Sequence, residues 1–301
     1  MPSIMFNKPS TKPLQQASET IVVPNQTIEV PKLFSKAGVV MLYIAIIGLF
    51  LSLQLLGVYL FAPVVFNDHP LTTAQRFGMG SFDGTVTSYS MIFTLIGLLI
   101  IIYGVIKWRI SVVQTDSATV PVNASTQGNL VHKNDFNSRT TLNYYVSDYL
   151  SLKPFPLYVA MGFIGLWLLF MIGTEFLTYW LDKDPTAFVD DLYDSANPKW
   201  LLILTMVVIA PIYEEVMFRG ILWSAVREQF EGAKGVWVAS LVTSILFSII
   251  HLQYEFYEMS VIFLLALLLS YARARSNSLY LPIILHIINN GVAMWMYLIV
   301  S

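Results

Sequence analysis

Residues 37–67 read AGVVMLYIAIIGLFLSLQLLGVYLFAPVVFN, and none of these 31 positions is charged. About 20 consecutive apolar residues cross a bilayer core as a helix, so this stretch holds one complete span, predicted over Gly38–Phe61. The whole chain agrees with that reading. Of its 301 residues 56% are hydrophobic and only 12% are charged, with a mean hydropathy of +0.64. A soluble domain carries about a quarter charged residues; a chain this apolar needs lipid as its solvent.

Further apolar stretches follow. Residues 84–106 are again charge-free, with the apolar part at Met91–Ile106. Pro156–Leu181 is the third. A fourth begins near Trp200, a fifth runs from Gly235 to His251, a sixth covers Met259–Ala272 and a seventh Leu279–Val300. The expectation is an all-α polytopic transmembrane helix bundle of about seven spans, with six to eight as the range. It divides into a polar, disordered tail over 1–36, N-terminal transmembrane helices over 37–199 with a polar loop at 109–153, and a C-terminal helix bundle over 200–298. Residues 1–30 lack a central apolar stretch, so no cleavable leader is expected. The chain has no cysteine, which excludes disulfides, thiolate-bound zinc and thiol catalysis. A net charge of −2 gives no reason to expect nucleic acid as a partner.

Ionisable groups inside a span cost roughly 2.5–3.5 kcal/mol each on insertion scales, so they face the bundle interior and have a task there. Three late segments carry them. The fourth reads Glu214-Glu215-Val-Met-Phe-Arg219, the fifth ends Phe247-Ser-Ile-Ile-His251, and the seventh contains His286-Ile-Ile-Asn289-Asn290. Glu215 and Arg219 stand at i,i+4 and can pair on one helix face. Glu214 is rotated from that face by about 100° and keeps a carboxylate that can take a proton. His286 and Asn290 share the i,i+4 spacing, as do Phe247 and His251. Asn289 falls one residue off the stripe and reads as packing. A carboxylate, two imidazoles and a carboxamide suffice to activate a water molecule and to stabilise an oxyanion.

These three segments, in this order, resemble the signature motifs of the CAAX-protease and bacteriocin-processing family (CPBP, also called Abi), to which the eukaryotic type II CAAX-prenyl endopeptidase belongs. The likeness extends through Phe263-Leu-Leu-Ala-Leu-Leu-Leu and Ser278-Leu-Tyr-Leu-Pro282-Ile-Ile-Leu-His286, and covers roughly residues 200–295. It implies an intramembrane endopeptidase that hydrolyses a peptide bond of a membrane-associated protein or peptide. On the family pattern Glu214 and His251 activate the water, His286 and Asn290 form the oxyanion hole, and Glu215 and Arg219 support the site. No cofactor is expected, although two His and a Glu can also serve as a zinc set; the absence of a His-Glu-x-x-His motif favours the metal-free form. The expected partners are the lipid bilayer and the substrate, and the expected location is a bacterial inner membrane. Two other readings stay open at this level: a transporter or proton-conducting protein in which the same residues relay protons, and a catalytically idle immunity or scaffold member of the same family.

Orientation follows from the basic residues. With the N-terminus inside and seven single crossings, 13 of the 17 Lys and Arg fall on the cytoplasmic side, as the positive-inside rule requires. The chain has no native thiol to interfere with labelling. A Ser138→Cys variant should therefore react with an impermeant maleimide only after the cells are opened, and Ser195→Cys should react in intact cells. Labelling of Ser138→Cys from outside would reverse the topology.

Overall fold

The computed structural model describes residues 32–119, 145–183 and 187–300. All regular structure among them is helical: α1 (Lys36–Val65), α2 (Thr73–Gly80), α3 (Gly84–Thr119), α4 (Val146–Leu150), α5 (Leu157–Trp180), α6 (Ala187–Ser195), α7 (Lys199–Leu204), α8 (Ala210–Glu215), α9 (Trp223–Arg227), α10 (Gly232–Ile249), α11 (Phe256–Ser276) and α12 (Tyr280–Val300). The segments α7, α8 and α9 form one broken helix, joined by π-helical stretches at Thr205–Ile209 and Val216–Leu222. Among the described residues seven helices are long and apolar enough to cross a membrane: α1, α3, α5, the α7–α9 rod, α10, α11 and α12. The protein is an all-α, multi-pass integral membrane protein. Helix α3 continues to Thr119, taking in the first eleven residues of the segment expected as a polar loop, and the section 120–144 lies outside the described residues.

The burial pattern identifies the centre of the bundle. In the α7–α9 rod 61% of the most apolar window is buried, against 17–39% for the other six spans. Large apolar side chains elsewhere, such as Met41, Ile44, Leu169 and Phe176, stay exposed. In a bilayer those side chains meet lipid tails, so the driving force for association is close packing and hydrogen bonding rather than water exclusion. Helices α1 and α3 show this. A Cβ at Gly57 would lie 2.8 Å from Ser90 Cα, so the missing side chain is what allows the two backbones to approach. Ser90 Oγ then donates across the contact to Gln54 O at 2.8 Å. A second apolar cluster joins α5 to α11 and α12 through Ala160, Phe163, Trp167, Leu265, Leu269 and Leu285.

Contacts between the helix ends sort by side as seven single crossings demand. At one end Lys183 pairs with Glu255 at 2.9 Å, and Thr85 Oγ1 accepts from Asn197 N at 2.8 Å. At the other, Leu279 N donates to Ser151 O at 2.9 Å, Arg273 Nη2 donates to Ser151 Oγ at 2.8 Å, and the entry to α1 is clamped. There Glu228 accepts from the amides of Leu33 and Phe34 at 3.1 and 2.9 Å. Gln229 Nε2 donates to Phe34 O at 3.0 Å, and Arg109 Nε donates to Leu33 O at 2.8 Å. Residues 1–31 of the expected tail lie outside the described residues, while Leu33 and Phe34 are buried and Ser35 caps α1 by accepting from Gly38 N.

This clamp carries a pH signature. Burial raises the Glu228 carboxyl from 4.5 to about 7, against the opposing effect of the Phe34 and Leu33 amides, Lys32 and Arg109. Between those values the folded protein holds a proton that the unfolded chain has released. The clamp therefore stabilises the fold less as the pH rises through that window. Thermal melts in detergent at pH 5 and pH 8 check this. Glu228→Gln should reduce the fall in melting temperature between the two pH values, and an unchanged fall would contradict the assignment.

Candidate active site

The α7–α9 rod carries Glu214 and Glu215 on α8, between the two π-helical stretches, and Arg219 inside the second. Glu215 and Arg219 are both fully buried and bond at 2.7 Å. The remaining faces of the guanidinium are also held. Arg219 Nη2 donates to Ala266 O at 3.0 Å and Nε to Ser270 Oγ at 3.4 Å, both on α11. The Phe247 ring of α10 lies 4.5 Å from Arg219 Cζ, in cation–π range. Glu215 Oε1 also accepts from His286 Nδ1 of α12 at 2.9 Å. Four helical segments thus meet at one ion pair.

The spacing argument holds at atomic level. Glu215 is the partner of Arg219, and Glu214 is not. The Glu214 carboxylate instead faces the other nitrogen of the same imidazole, with Oε2 3.8 Å from His286 Nε2, and its side chain keeps 11% of its exposure. Because a carboxylate only accepts, the bond to Glu215 places a proton on His286 Nδ1 and turns Nε2 towards Glu214. The same logic fixes His251, whose Nδ1 lies 2.7 Å from Phe247 O; the carbonyl is an acceptor, so Nε2 is left with a lone pair in the neutral ring.

Asn290 stands one turn beyond His286 on α12. Its Nδ2 donates to Met206 O at 3.0 Å, which brings it against the first π-helical stretch. Glu214 and His286 therefore face each other, while Asn290, one turn further along α12, meets the rod at Met206. His251 joins them less closely, since no hydrogen bond or ion pair links it to Glu214 among the described residues. The two imidazoles flank the Phe247 ring, with centroids at 4.8 Å for His251 and 5.8 Å for His286. His251 sits two residues past the end of α10 at Ile249, in the turn before α11.

Some neighbours were not marked by the sequence. Asn289, read as packing, accepts from Trp167 Nε1 at 3.1 Å and donates to Asn290 Oδ1 at 3.3 Å. Trp167 gave one signal: it stands in the middle of its span, away from the interface where membrane Trp residues collect. Tyr254 stacks near His251 with centroids 6.4 Å apart. Burial pushes its phenol up to about 12, and the charges of Glu214 and Glu258 add to the rise. Glu258, in the first turn of α11, is buried with one carboxylate oxygen that has no hydrogen-bond partner among the described residues.

Zinc is the group to test against these donors. Among the described residues no three His, Asp or Glu side chains converge as a metal-binding group. The Nδ1 bonds of His286 to Glu215 and of His251 to the Phe247 carbonyl leave the Nε2 of each ring open, so the mismatch lies in the spacing of the donors and not in the ring nitrogens. The donor arrangement does not fit a zinc site, and no step below passes through a metal.

The cluster of Glu214, Glu215, Arg219 and His286 lies within a polytopic helical bundle, and comparison with known proteins gives the family. Residues 196–292 match the profile of the type II CAAX prenyl endopeptidase Rce1-like family. The chain is 31% identical over 164 residues to an uncharacterized 24.3 kDa protein of Escherichia coli, covering 50% of this chain and 75% of that one. It is also 38% identical over 78 residues to the UPF0177 protein YbdI of Lactococcus lactis, covering 24% of this chain and 39% of the relative. No solved structure matches it. This chain belongs to the type II CAAX prenyl endopeptidase Rce1-like family, a protease family of the membrane.

The Glu215–Arg219 pair sets a stability prediction. Removing one partner of a buried pair leaves an uncompensated charge and costs about 3–5 kcal/mol, whereas replacing both is far less harmful. Arg219→Met should unfold at markedly lower denaturant concentration in mixed micelles, and adding Glu215→Gln should recover much of the loss. A double variant as unstable as the single one would show that the pair is not the cause.

Proposed function

We propose that the protein is an intramembrane endopeptidase in which Glu214 activates the attacking water. One observation carries this reading. The donors of Arg219 are committed to Glu215, Ala266 O and Ser270, so the neighbouring Glu214 keeps a carboxylate with no Arg or Lys bonded to it among the described residues. Such a group can accept a proton in a site largely closed to solvent.

The chemistry runs as an addition and an elimination. Glu214 takes a proton from water as its oxygen adds to the scissile carbonyl carbon. His251, with Nδ1–H on the Phe247 carbonyl, offers the Nε2 lone pair to the second water proton and holds the nucleophile. The carbonyl oxygen becomes an oxyanion. It accepts from the second N–H of Asn290 and from His286 Nε2 in the protonated ring. Glu214 then returns its proton to the amide nitrogen, the C–N bond breaks, and a new carboxyl and a new amine leave. The substrate class is a membrane-associated protein or peptide, as the family and the seven spans suggest.

Comparative proteomics tests the reading in cells. Membranes of cells carrying Glu214→Gln should accumulate at least one membrane protein that wild-type cells cut. On that substrate, purified Glu214→Gln should be inactive because the amide keeps the shape and loses the basicity. Asn290→Ala should retain weak activity, lowered by roughly 10²–10³, the usual loss for one oxyanion donor. A metal chelator should leave the wild-type rate unchanged. Activity that disappears with chelator and returns with zinc would replace this mechanism by a metal-dependent one.

A further inference from the structure

Around Pro211 the backbone of the α7–α9 rod offers a carbonyl to a side-chain donor on α12. At the end of the first π-helical stretch Ala210 N–H reaches back five residues, to Thr205 O. The next carbonyl in line, Met206 O, would take its π-type bond from residue 211. That residue is Pro211, which has no N–H. A carbonyl passed over in this way inside a bundle needs another donor, and Asn290 Nδ2 supplies it at 3.0 Å.

The other end of the Asn290 carboxamide is fixed as firmly. An indole N–H can only donate, so Trp167 Nε1, 3.1 Å away, turns Asn289 Oδ1 towards itself. The Asn289 amide group then faces Asn290 and donates to its Oδ1 at 3.3 Å. The string begins at a group that only donates and ends at a carbonyl that only accepts, so every bond in it runs in one direction. Neither carboxamide can flip without losing partners at both ends. One N–H of Asn290 remains outside the string.

We infer that Trp167 and Asn289 are positioning residues that hold the carboxamide of Asn290 so that this last N–H meets the developing oxyanion. The inference rests on the proposed catalytic role of Asn290. It brings α5, outside the segment that matches the family profile, into the working of the site. It also gives the π-helical stretch and Pro211 a function, since together they create the acceptor that anchors the string.

The test uses the full-length protein reconstituted in liposomes and a membrane protein that wild-type cells cut and Glu214→Gln cells leave whole. Trp167→Phe keeps the bulk and removes the donor. Asn289→Asp keeps the shape and the acceptor for Trp167 but cannot donate to Asn290. Each should lower kcat by roughly ten- to a hundredfold, the scale of a small misplacement in an active site, with KM nearly unchanged. In the Asn290→Ala background the same substitutions should cost almost nothing further, because the group they position is gone. A role in packing alone would lower activity by the same factor in both backgrounds. Wild-type kcat in Trp167→Phe and Asn289→Asp, or full additivity with Asn290→Ala, overturns the positioning role and leaves the catalytic reading standing. If no substrate is cut in a Glu214-dependent way, the catalytic reading falls and the positioning role falls with it.

Discussion

The buried pair of Glu215 and Arg219 is the constraint on which the rest of the C-terminal bundle depends. Taking two charges out of water costs several kcal/mol per ion unless their remaining hydrogen-bonding capacity is met. Neither side chain has any exposure, so the partners must come from the protein, which meets all but Glu215 Oε2 among the described residues. Helix α11 gives Ala266 O and Ser270, α10 gives the face of Phe247, and α12 gives His286. Each of these helices is largely apolar, and lipid would solvate its outer surface as well as another helix would. The polar contacts to one ion pair decide which faces turn inwards and at what depth. Glu214 and Asn290 take their places as a consequence, one beside the pair on α8 and the other one turn past His286.

The two π-helical stretches have a common effect. Each departs from the i→i−4 pattern and returns to it, and a carbonyl is passed over at the return. In the first stretch it is Met206 O, met by Asn290. In the second, Trp223 N–H reaches back to Phe218 O, Arg219 O is passed over, and Arg273 Nε donates to it at 3.3 Å. Side chains of α12 and α11 thus complete the backbone of the central rod. The irregular backbone lies where it is enclosed by protein, the condition under which such geometry persists at membrane depth. The site and the helix distortion are one arrangement: without the extra residue per turn, these carbonyls would be internally bonded and offer no anchor.

The N-terminal helices are attached by fewer, mostly neutral contacts. Gln54 of α1 approaches Tyr213 OH at 3.5 Å, next to Glu214, and Trp167 of α5 reaches Asn289. The clamp of Glu228, Gln229 and Arg109 holds the start of α1 to the end of the α7–α9 rod. These contacts explain how a segment outside the family profile still bears on the site.

Much of this was legible in the sequence because the governing signals are local. A run of 31 uncharged residues at 37–67 is too apolar for water, and spans need no long-range information to be recognised. The i,i+4 spacing assigned Glu215 to Arg219 and freed Glu214, since that geometry belongs to the helix itself. Ionisable groups inside apolar segments marked Glu214, His251 and His286 because such groups are costly anywhere in a span, and the i,i+4 spacing from His286 marked Asn290. Other features depended on which helix lies beside which. Whether His286 would bond Glu215 or face lipid, whether Asn289 was packing or an acceptor, and whether Trp167 had a partner are questions about neighbours 71 to 122 positions away. Hydrophobicity cannot answer them, because every face of these helices is apolar enough for lipid. The π-helical register was hidden for a similar reason: it persists because Asn290 and Arg273 satisfy the carbonyls it leaves over, and those side chains arrive only when the bundle has closed. The sequence by itself determined the membrane, the spans and the chemical inventory of the site, while the tertiary structure alone decided how those groups are aimed, because only packing brings a donor from one helix to an orphaned acceptor on another.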